Sequence, residues 1–230
     1  MISIGDRMKS YYEDRYRIFL TRRTPVIVRL DGKAFHSLTK HCKRPFDSNF
    51  IHSMLNGAMA VSDETQGFKL AYIQSDEANF LLTDYDTLQT EAYFDNNLQK
   101  IITIMASQMS VQFSHQFGKV GYFDGRAFNI PESEIANCFL WRALDWQRNS
   151  IQMYAQSFFS HKQLHGKNQS DMHEMLYGIG KNWATDLGEA EKNGIFITKE
   201  KCYLNIGPSY EDINNLVEKV LKTDNPELLE

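Results

Sequence analysis

The sequence predicts an α+β fold. Three observations carry that prediction. Two short apolar runs each end in an acidic turn, Val26-Ile27-Val28-Arg29-Leu30-Asp31-Gly32 and Leu70-Ala71-Tyr72-Ile73-Gln74-Ser75-Asp76-Glu77. The second turn is followed at once by another strand-like run, Ala78-Asn79-Phe80-Leu81-Leu82. Between and after these runs lie longer segments whose apolar residues recur at helical spacing.

The elements follow in order. Met8, Tyr11, Tyr12, Tyr16 and Phe19 give an amphipathic start, and Pro25 opens the first strand. Residues Asp47 to Val61 read as a helix with Phe50, Ile51, Met54, Leu55, Ala58 and Met59 on one side, although Gly57 interrupts it. Phe68 to Gln74 and Ala78 to Thr83 read as two strands joined by a tight turn. A long helical pattern follows through Leu88, Ala92, Leu98, Ile101, Ile102, Met105 and Met109. Gly121, Asp124 and Gly125 mark a turn before a strand over Arg126 to Ile130. This succession is the ferredoxin-like βαββαβ arrangement, with two helices on one face of an antiparallel sheet and the other face open. Its first and third strands are neighbours, which brings Asp31 and Asp76 together. The remainder reads as helical: one helix from Pro131 to about Phe159, a break at His165-Gly166-Lys167, a helix capped by Ser170 or Asp171 with Glu174, and an acidic helical tail over 207–230. We divide the chain into a catalytic part, residues 1–135, and a mainly helical extension, 136–230, packed on it as one unit.

Composition excludes several classes. With 42% hydrophobic and 13% aromatic residues, the 230-residue chain can build a core of its own. No apolar run is long enough to span a bilayer, and Met1 to Arg23 lacks the apolar stretch of a signal peptide. Cys42, Cys138 and Cys202 are odd in number and form no C-x-x-C, which argues against a disulfide framework or zinc cluster and for a reducing cytoplasm. The net charge of −4 argues against nonspecific coating of nucleic acid. Local basic clusters at Arg15 to Arg17, Arg22-Arg23, Lys40 to Arg44 and His161 to Lys167 remain available to RNA, or are simply solvated faces.

Asp31 and Asp76, each at a strand end, are the candidate metal ligands. Mg²⁺ takes hard oxygen ligands, commonly one or two carboxylates plus substrate phosphates. Each alone reads equally as a turn residue. Glu77 reads best as a supporting carboxylate that orients its neighbours. Asp47 precedes a helix and is a natural N-cap. Lys100, on an amphipathic helix, reads as a snorkelling surface lysine. His161 and His165 are helix neighbours on a surface, and Met105 and Met109 belong to a core.

Taken together, Gly5-Asp6-Arg7-Met8-Lys9, Val28 to His36, Lys43-Arg44-Pro45-Phe46-Asp47, Gln74-Ser75-Asp76-Glu77 and Phe123-Asp124-Gly125-Arg126 resemble the tRNA-His guanylyltransferase superfamily, most closely its bacterial and archaeal guanylyltransferase-like branch. The resemblance implies a polymerase-palm fold and addition of nucleotides to the 5′ end of tRNA in the 3′→5′ direction. The end is activated with ATP, or GTP in some members, and two Mg²⁺ ions serve the transfer. It implies Asp31, Asp76 and the Gly32 carbonyl as metal ligands, with Glu77 in the same catalytic group. The incoming NTP is expected on Asp31, Gly32, Lys33, Ala34, Phe35 and His36, through a nest of backbone N–H groups, with Ser75 reaching its phosphates and Asp47 its base. Arg29, Arg44 and Lys100 match positions that bind triphosphate or the RNA 5′ phosphate. Homotetramers are the rule in such a family. Arg44 stands where lysine is usual, and a guanidinium cannot donate a proton near neutral pH. Gln147-Arg148-Asn149-Ser150 replaces a His-Ile-Asn-Asn stretch tied to tRNA-His, which favours template-dependent repair of truncated tRNAs. Other chemistries on the same fold, a nucleotidyl cyclase or nucleotide-only transferase, share these features, as does a non-catalytic RNA-binding protein with an inherited pocket.

Overall fold

Strand β1 (Val26–Gly32) is buried at its start on both faces and opens toward its end, where Arg29, Asp31 and Gly32 are only half-buried. It is paired on both edges, antiparallel to β3 (Glu77–Leu82) and to β4 (Phe123–Asn129). Adding β2 (Phe68–Gln74), β5 (Ile195–Ile197) and β6 (Cys202–Tyr203) gives a six-stranded sheet of order β4-β1-β3-β2-β5-β6. Its first four strands follow the ferredoxin-like order that the sequence predicts. The computed structural model describes residues 2–200, 202–203 and 206–222. Among these, no helix is long and apolar enough to cross a membrane.

Helix α1 (Ile4–Tyr11) precedes the sheet, and its Met8 and Tyr11, like the following Tyr12, Tyr16 and Phe19, remain exposed instead of joining the core. After β1 comes a single turn, α2 (Phe35–Leu38), and then α3 (Ser48–Glu64). Asp47 caps α3 by accepting from Phe50 N at 3.1 Å. Helix α4 (Leu98–Phe117) lies against α3, and Gly57 lets them approach: a Cβ there would stand 3.1 Å from Met109 Sδ. Together α3 and α4 cover Val26, Val28 and Leu30 with Met54, Ala58, Val61, Met105 and Met109.

The other face is not open. Helix α5 (Ile135–Gln156) and helix α10 (Tyr210–Leu221) bury Ile27, Leu70, Tyr72 and Leu81 beneath Phe139, Ala143, Ile213 and Leu216. The sequence hides this because β2 and β3 are buried on both sides and read as continuous apolar runs, whichever faces are covered. The second half of α5 carries a smaller cluster with the short helices α6 (His161–Leu164), α7 (Gln169–Gly178) and α8 (Trp183–Asp186), centred on Ile151, Tyr154, Leu176 and Trp183, while Ala190 of α9 (Glu189–Asn193) packs on the main core.

Other boundaries differ from expectation. Helix α4 begins ten residues after Leu88, which is exposed, and Ala92 is buried outside it in the loop. Asp124 and Gly125 lie within β4, not in a turn before it. The cap of α7 is Asn168, in a reciprocal box with Asp171, in place of Ser170 or Asp171 with Glu174. Residues Glu132–Glu134 form a 3-10 turn that leads into α5, which stops at Gln156. Strands β5 and β6 interrupt the region read as wholly helical. Of the expected tail, 210–221 is helical and 223–230 lies outside the described residues.

Register orders the face that carries α5. Asp31 lies opposite Glu77 on β3 and Asp124 on β4; Arg29 lies opposite Asn79 and Arg126; Ile27 lies opposite Leu81 and Phe128. With a side-chain period of two, these form three successive rungs, acidic, then basic and polar, then apolar. Helix α5 runs along them, with Phe139 and Ala143 on the apolar rung and Arg142 reaching Glu77.

Candidate active site

Asp31 ends β1 and Asp76 is the second residue of the two-residue loop joining β2 to β3. The loop is tied to the strand by Gly32 N donating to Asp76 O at 3.0 Å. Space demands glycine at residue 32: a Cβ there would sit 2.9 Å from Asp76 Cβ and 2.6 Å from the Phe35 ring. The side chains of Asp76 and Phe35 therefore close directly over the Gly32 backbone. Gly32→Ala must push Asp76 aside, and a displacement near 1 Å costs about a hundredfold in rate. We expect that loss of turnover in steady-state kinetics, with an unchanged helical circular dichroism spectrum.

Both carboxylates line a cavity of about 280 Å³ between the sheet and α5. Burial raises the Asp31 carboxyl above its usual range, and the Glu77 and Asp124 charges add to this while Arg126 and Arg29 oppose it. Asp76 is also raised, by burial first and then by Asp31, against hydrogen bonds from its own N–H and from Ser75. Two hard oxygen donors on one cavity, close enough that Asp76 feels the charge of Asp31, suit Mg²⁺ chemically. Among the described residues no group of three or more His, Cys, Asp or Glu is placed to hold an ion. The pair therefore needs further oxygens, such as those of bound phosphates, to complete a shell.

A larger cavity of about 530 Å³ meets the first at Ser75, Asp76, Trp146, Met153 and Gln156. Gly32, Ala34, Phe35 and His36 form one end of it, Arg44 and Asp47 a side, and Phe50, Ile51 and Met54 an apolar floor. Two residues on its wall, Ala34 (φ 56°) and Ser75 (φ 45°), adopt left-handed backbone that glycine takes more easily. Such strain, on the order of 1 kcal/mol or more per residue, tends to persist where function holds it. Ser75→Gly is expected to raise the melting temperature by about 2–4 °C, the equivalent of roughly 1 kcal/mol in a chain of this size. Loss of the hydroxyl should weaken nucleotide binding in the same protein, as read by calorimetry.

The expected nest of N–H groups is smaller than the sequence suggests. Gly32 N is engaged with Asp76 O and Lys33 N with Tyr122 O at 2.8 Å. The N–H groups of Phe35 and His36 open the first turn of α2, where no preceding helical carbonyl faces them. Lys33 itself is exposed and lines neither cavity. Asp47 lines the large cavity, but both its oxygens accept backbone bonds, from Phe50 N and, at 2.8 Å, from Lys43 N. The Lys43 bond is the chief reason its carboxyl is lowered, with burial opposing.

Two predicted residues, Arg29 and Lys100, line neither cavity, while Glu77 lines the smaller one with its oxygens engaged. Arg29 donates to Asn79 Oδ1 at 3.2 Å, lies 3.7 Å from Glu77 and stacks 4.8 Å from the Trp141 ring centre, lining neither cavity. Glu77 is buried, with Arg142 forked onto both its oxygens at 2.7 and 2.8 Å and Asn79 and Gln74 donating to it as well. Lys100 is exposed in the first turn of α4, with Nζ 6.0 Å from the centre of the Phe94 ring. The end of α4 that reaches the cavity residues is the other one, through Phe113 on Phe35 and Phe117 on Phe50. At 1.5 Å per residue that is roughly 25 Å away.

The sequence reading missed the contribution of α5. Arg142, Trp146, Asn149, Met153 and Gln156 recur three or four residues apart and present one stripe to the cavities. That spacing was visible, but its amides carry no hydrophobic period.

Three comparisons bear on the chain. The model of the family described as tRNAHis guanylyltransferase matches residues 5–131. A bacterial tRNA(His) guanylyltransferase-like protein, solved in complex with ATP, superposes with a TM-score of 0.91 at 41% identity, covering 96% of this chain and 100% of that one. A bacterial tRNA(His) guanylyltransferase-like protein in complex with GTP gives 0.85 at 38% identity over the same shares. The tRNA(His) guanylyltransferase of Debaryomyces hansenii is 27% identical over 216 residues, covering 82% of this chain and 78% of the relative.

Proposed function

Because the chain belongs to the tRNA-His guanylyltransferase family and is a nucleotidyltransferase, we propose that it extends the 5′ end of tRNA in the 3′→5′ direction, with ATP and GTP or another NTP as substrates. The observation that carries this reading is the convergence of Asp31 and Asp76 on one cavity wall, beside a glycine whose missing side chain lets them close. Likeness to proteins solved with ATP and with GTP supports a nucleotide in the adjoining larger cavity.

Asp31, Asp76 and the Gly32 carbonyl would hold Mg²⁺, which neutralises phosphate charge and makes the attacking hydroxyl more acidic. Phosphoryl transfer asks for positioning and charge stabilisation more than for covalent help from protein. Ser75 offers a hydroxyl and the first turn of α2 offers N–H groups to the triphosphate. Arg44, on the same wall, gives a planar fork suited to two phosphate oxygens. The apolar floor of Phe50, Ile51 and Met54 accepts a base without demanding its identity, as a templated enzyme requires. In the activating step, a 5′-phosphate oxygen of the RNA attacks the α-phosphorus of ATP and pyrophosphate leaves. In the second step, the 3′-hydroxyl of the incoming NTP attacks the 5′-phosphorus of the RNA and AMP leaves. A triphosphorylated end omits the first step and releases pyrophosphate. Since Gln147-Arg148-Asn149-Ser150 stands in place of the stretch linked to tRNA-His, general 5′-end repair is the reading we favour.

The test is extension of a 5′-labelled tRNA that lacks its first nucleotide, with ATP and each NTP in turn. We expect one added nucleotide, complementary to the base opposite, and no product with EDTA. Addition that ignores the opposing base would overturn the templated reading. A cyclic or dinucleotide product from NTP alone would replace it with a nucleotide-only transferase.

A further inference from the structure

From Trp146 to Ser170 the chain holds no aspartate or glutamate, although its net charge is −4. This acid-free stretch starts on α5, runs through α6 and ends at the start of α7. Lys162, Lys167 and the imidazoles of His161 and His165 are exposed on the turn of α6 and the loop that follows it. The two histidine rings lie 6.3 Å apart. Where Lys69 and Lys192 hold Asp86 and Glu189, the ammonium groups of Lys162 and Lys167 have no acidic partner among the described residues. The acids that bound the stretch are engaged, Asp145 with Arg142 and Arg148, and Asp171 with the Asn168 N–H.

Packing fixes the position of this turn. Leu164 is buried in the cluster that holds Ile151 and Tyr154 of α5. Ser160 and Gln163 close α6 with a reciprocal capping box. The turn is thus clamped to the end of α5 with its cations left outside. Gln156 and Ser157, at that same end, line the larger cavity. His161 is four residues beyond Ser157, so chain length alone keeps it within ~14 Å. Lys40, Lys43 and Arg44 line the cavity itself. Cations therefore stand on the wall of the nucleotide site and again outside it, past Ser157.

We propose that Lys162 and Lys167, with His161 and His165, grip the phosphate backbone of the tRNA stem whose 5′ end enters the cavity, a role that rests on the 5′-extension reading above. A nucleic-acid duplex carries one charge for every ~1.7 Å of its axis. The first base pairs of such a stem accordingly present phosphates within the range set by Ser157. Cations with no protein partner can neutralise them without first breaking an ion pair. Lysine is a point charge on a flexible stem, which suits phosphate rather than base edges. An A-form helix is held by its backbone and shape, because side chains cannot read its deep groove. A grip of this kind is blind to sequence, as repair of many different tRNAs requires. A lipid surface would need apolar side chains to insert, and the one on this turn, Leu164, is buried.

The test is fluorescence anisotropy with full-length tRNA lacking its first nucleotide, across KCl concentrations, beside extension kinetics. Lys162→Gln/Lys167→Gln is expected to bind about tenfold more weakly at about 100 mM KCl. Its plot of log affinity against log salt should be shallower by about 2, roughly one phosphate contact per lysine. The loss should be the same for tRNAs of unrelated sequence and appear in KM for tRNA, with kcat and the calorimetric affinity for ATP unchanged. Lys162→Arg/Lys167→Arg keeps the charge and should match wild type. A neutral variant with wild-type affinity and salt slope would overturn the inference, as would one that loses ATP affinity in parallel. The single variants, each expected to remove about half of the slope change, decide the matter if the pair fails to fold. Wild type that binds tRNA with this salt dependence yet adds no nucleotide would strike the 5′-extension reading and leave the surface standing. Equal KM in wild type and neutral variant, with extension intact, would do the reverse.

Discussion

Asp76→Asn is expected to slow 5′-extension by about a hundred- to a thousandfold, while the protein melts at a higher temperature than wild type in divalent-free buffer at pH 7. The loss follows from removing one of two charged donors; deleting one preorganised charge-stabilising group costs an active site on the order of a hundred- to a thousandfold. A gain in stability follows from the electrostatics. Asp76 is held above the usual carboxylate range, burial first, with Asp31 adding to it. A carboxyl raised on folding binds its proton more tightly in the folded state. Its favourable contribution is complete at pH below the unfolded value near 3.9 and is lost as pH rises through the raised value. At neutral pH the charge therefore works against the fold, and the neutral amide removes it. Thermal melts from pH 4 to 8 should show the gap between variant and wild type widening as pH rises. A variant that melts lower throughout, or one that extends RNA at the wild-type rate, would remove the basis for a charged metal pair.

Arg142→Ala is expected to have the largest effect on folding. Arg142 and Glu77 are each 8% exposed and doubly bonded to each other. Removing one partner of a buried pair leaves the other charge unpaired, at a cost of about 3–5 kcal/mol. At roughly 2–4 °C per kcal/mol, the melting temperature should fall by about 10 °C. Adding Glu77→Gln should restore part of the loss, because no bare charge then remains. Burial alone would push the Glu77 carboxyl up, but bonds from Arg142 and Asn79 outweigh it and hold it low. With the folded pKa depressed, the stabilisation is present above the unfolded value near 4.3 and is lost as pH falls through the lowered one. The difference between wild type and Arg142→Ala should accordingly narrow below pH 4. A gap independent of pH would mean that packing, not charge, holds this helix to the sheet.

What could be read from the sequence was local. The apolar run that ends in Asp31-Gly32 and the tight Ser75-Asp76 turn between two further apolar runs are short-range signals, and they located the central strands and put each aspartate at a strand end. Connectivity also implied more than was drawn from it. Helix α4 must end where β4 begins, beside Gly32, so Lys100 in its first turn falls at the far end. The covering of the second face was not legible, since a strand buried on both sides and one buried on a single side differ only through distant partners. Strand β5 is three residues long and exists because β2 offers it an edge. The amide stripe of α5 escaped notice for a related reason: polar residues on a helix usually mark solvent, and only the sheet opposite turns them into a wall.

The ladder of acidic, basic and apolar rungs also guards the fold against mispairing. A slip of β1 by one position against β3 would carry all three rungs to the opposite side of the sheet. A slip by two would set Asp31 against Asn79 and Arg29 against Leu81, stranding a cation on the apolar layer and leaving Glu77 without its strand partner. The chain thus penalises its own misalignment with the very side chains that serve its chemistry, and a correctly zipped sheet arrives with its carboxylates already in place.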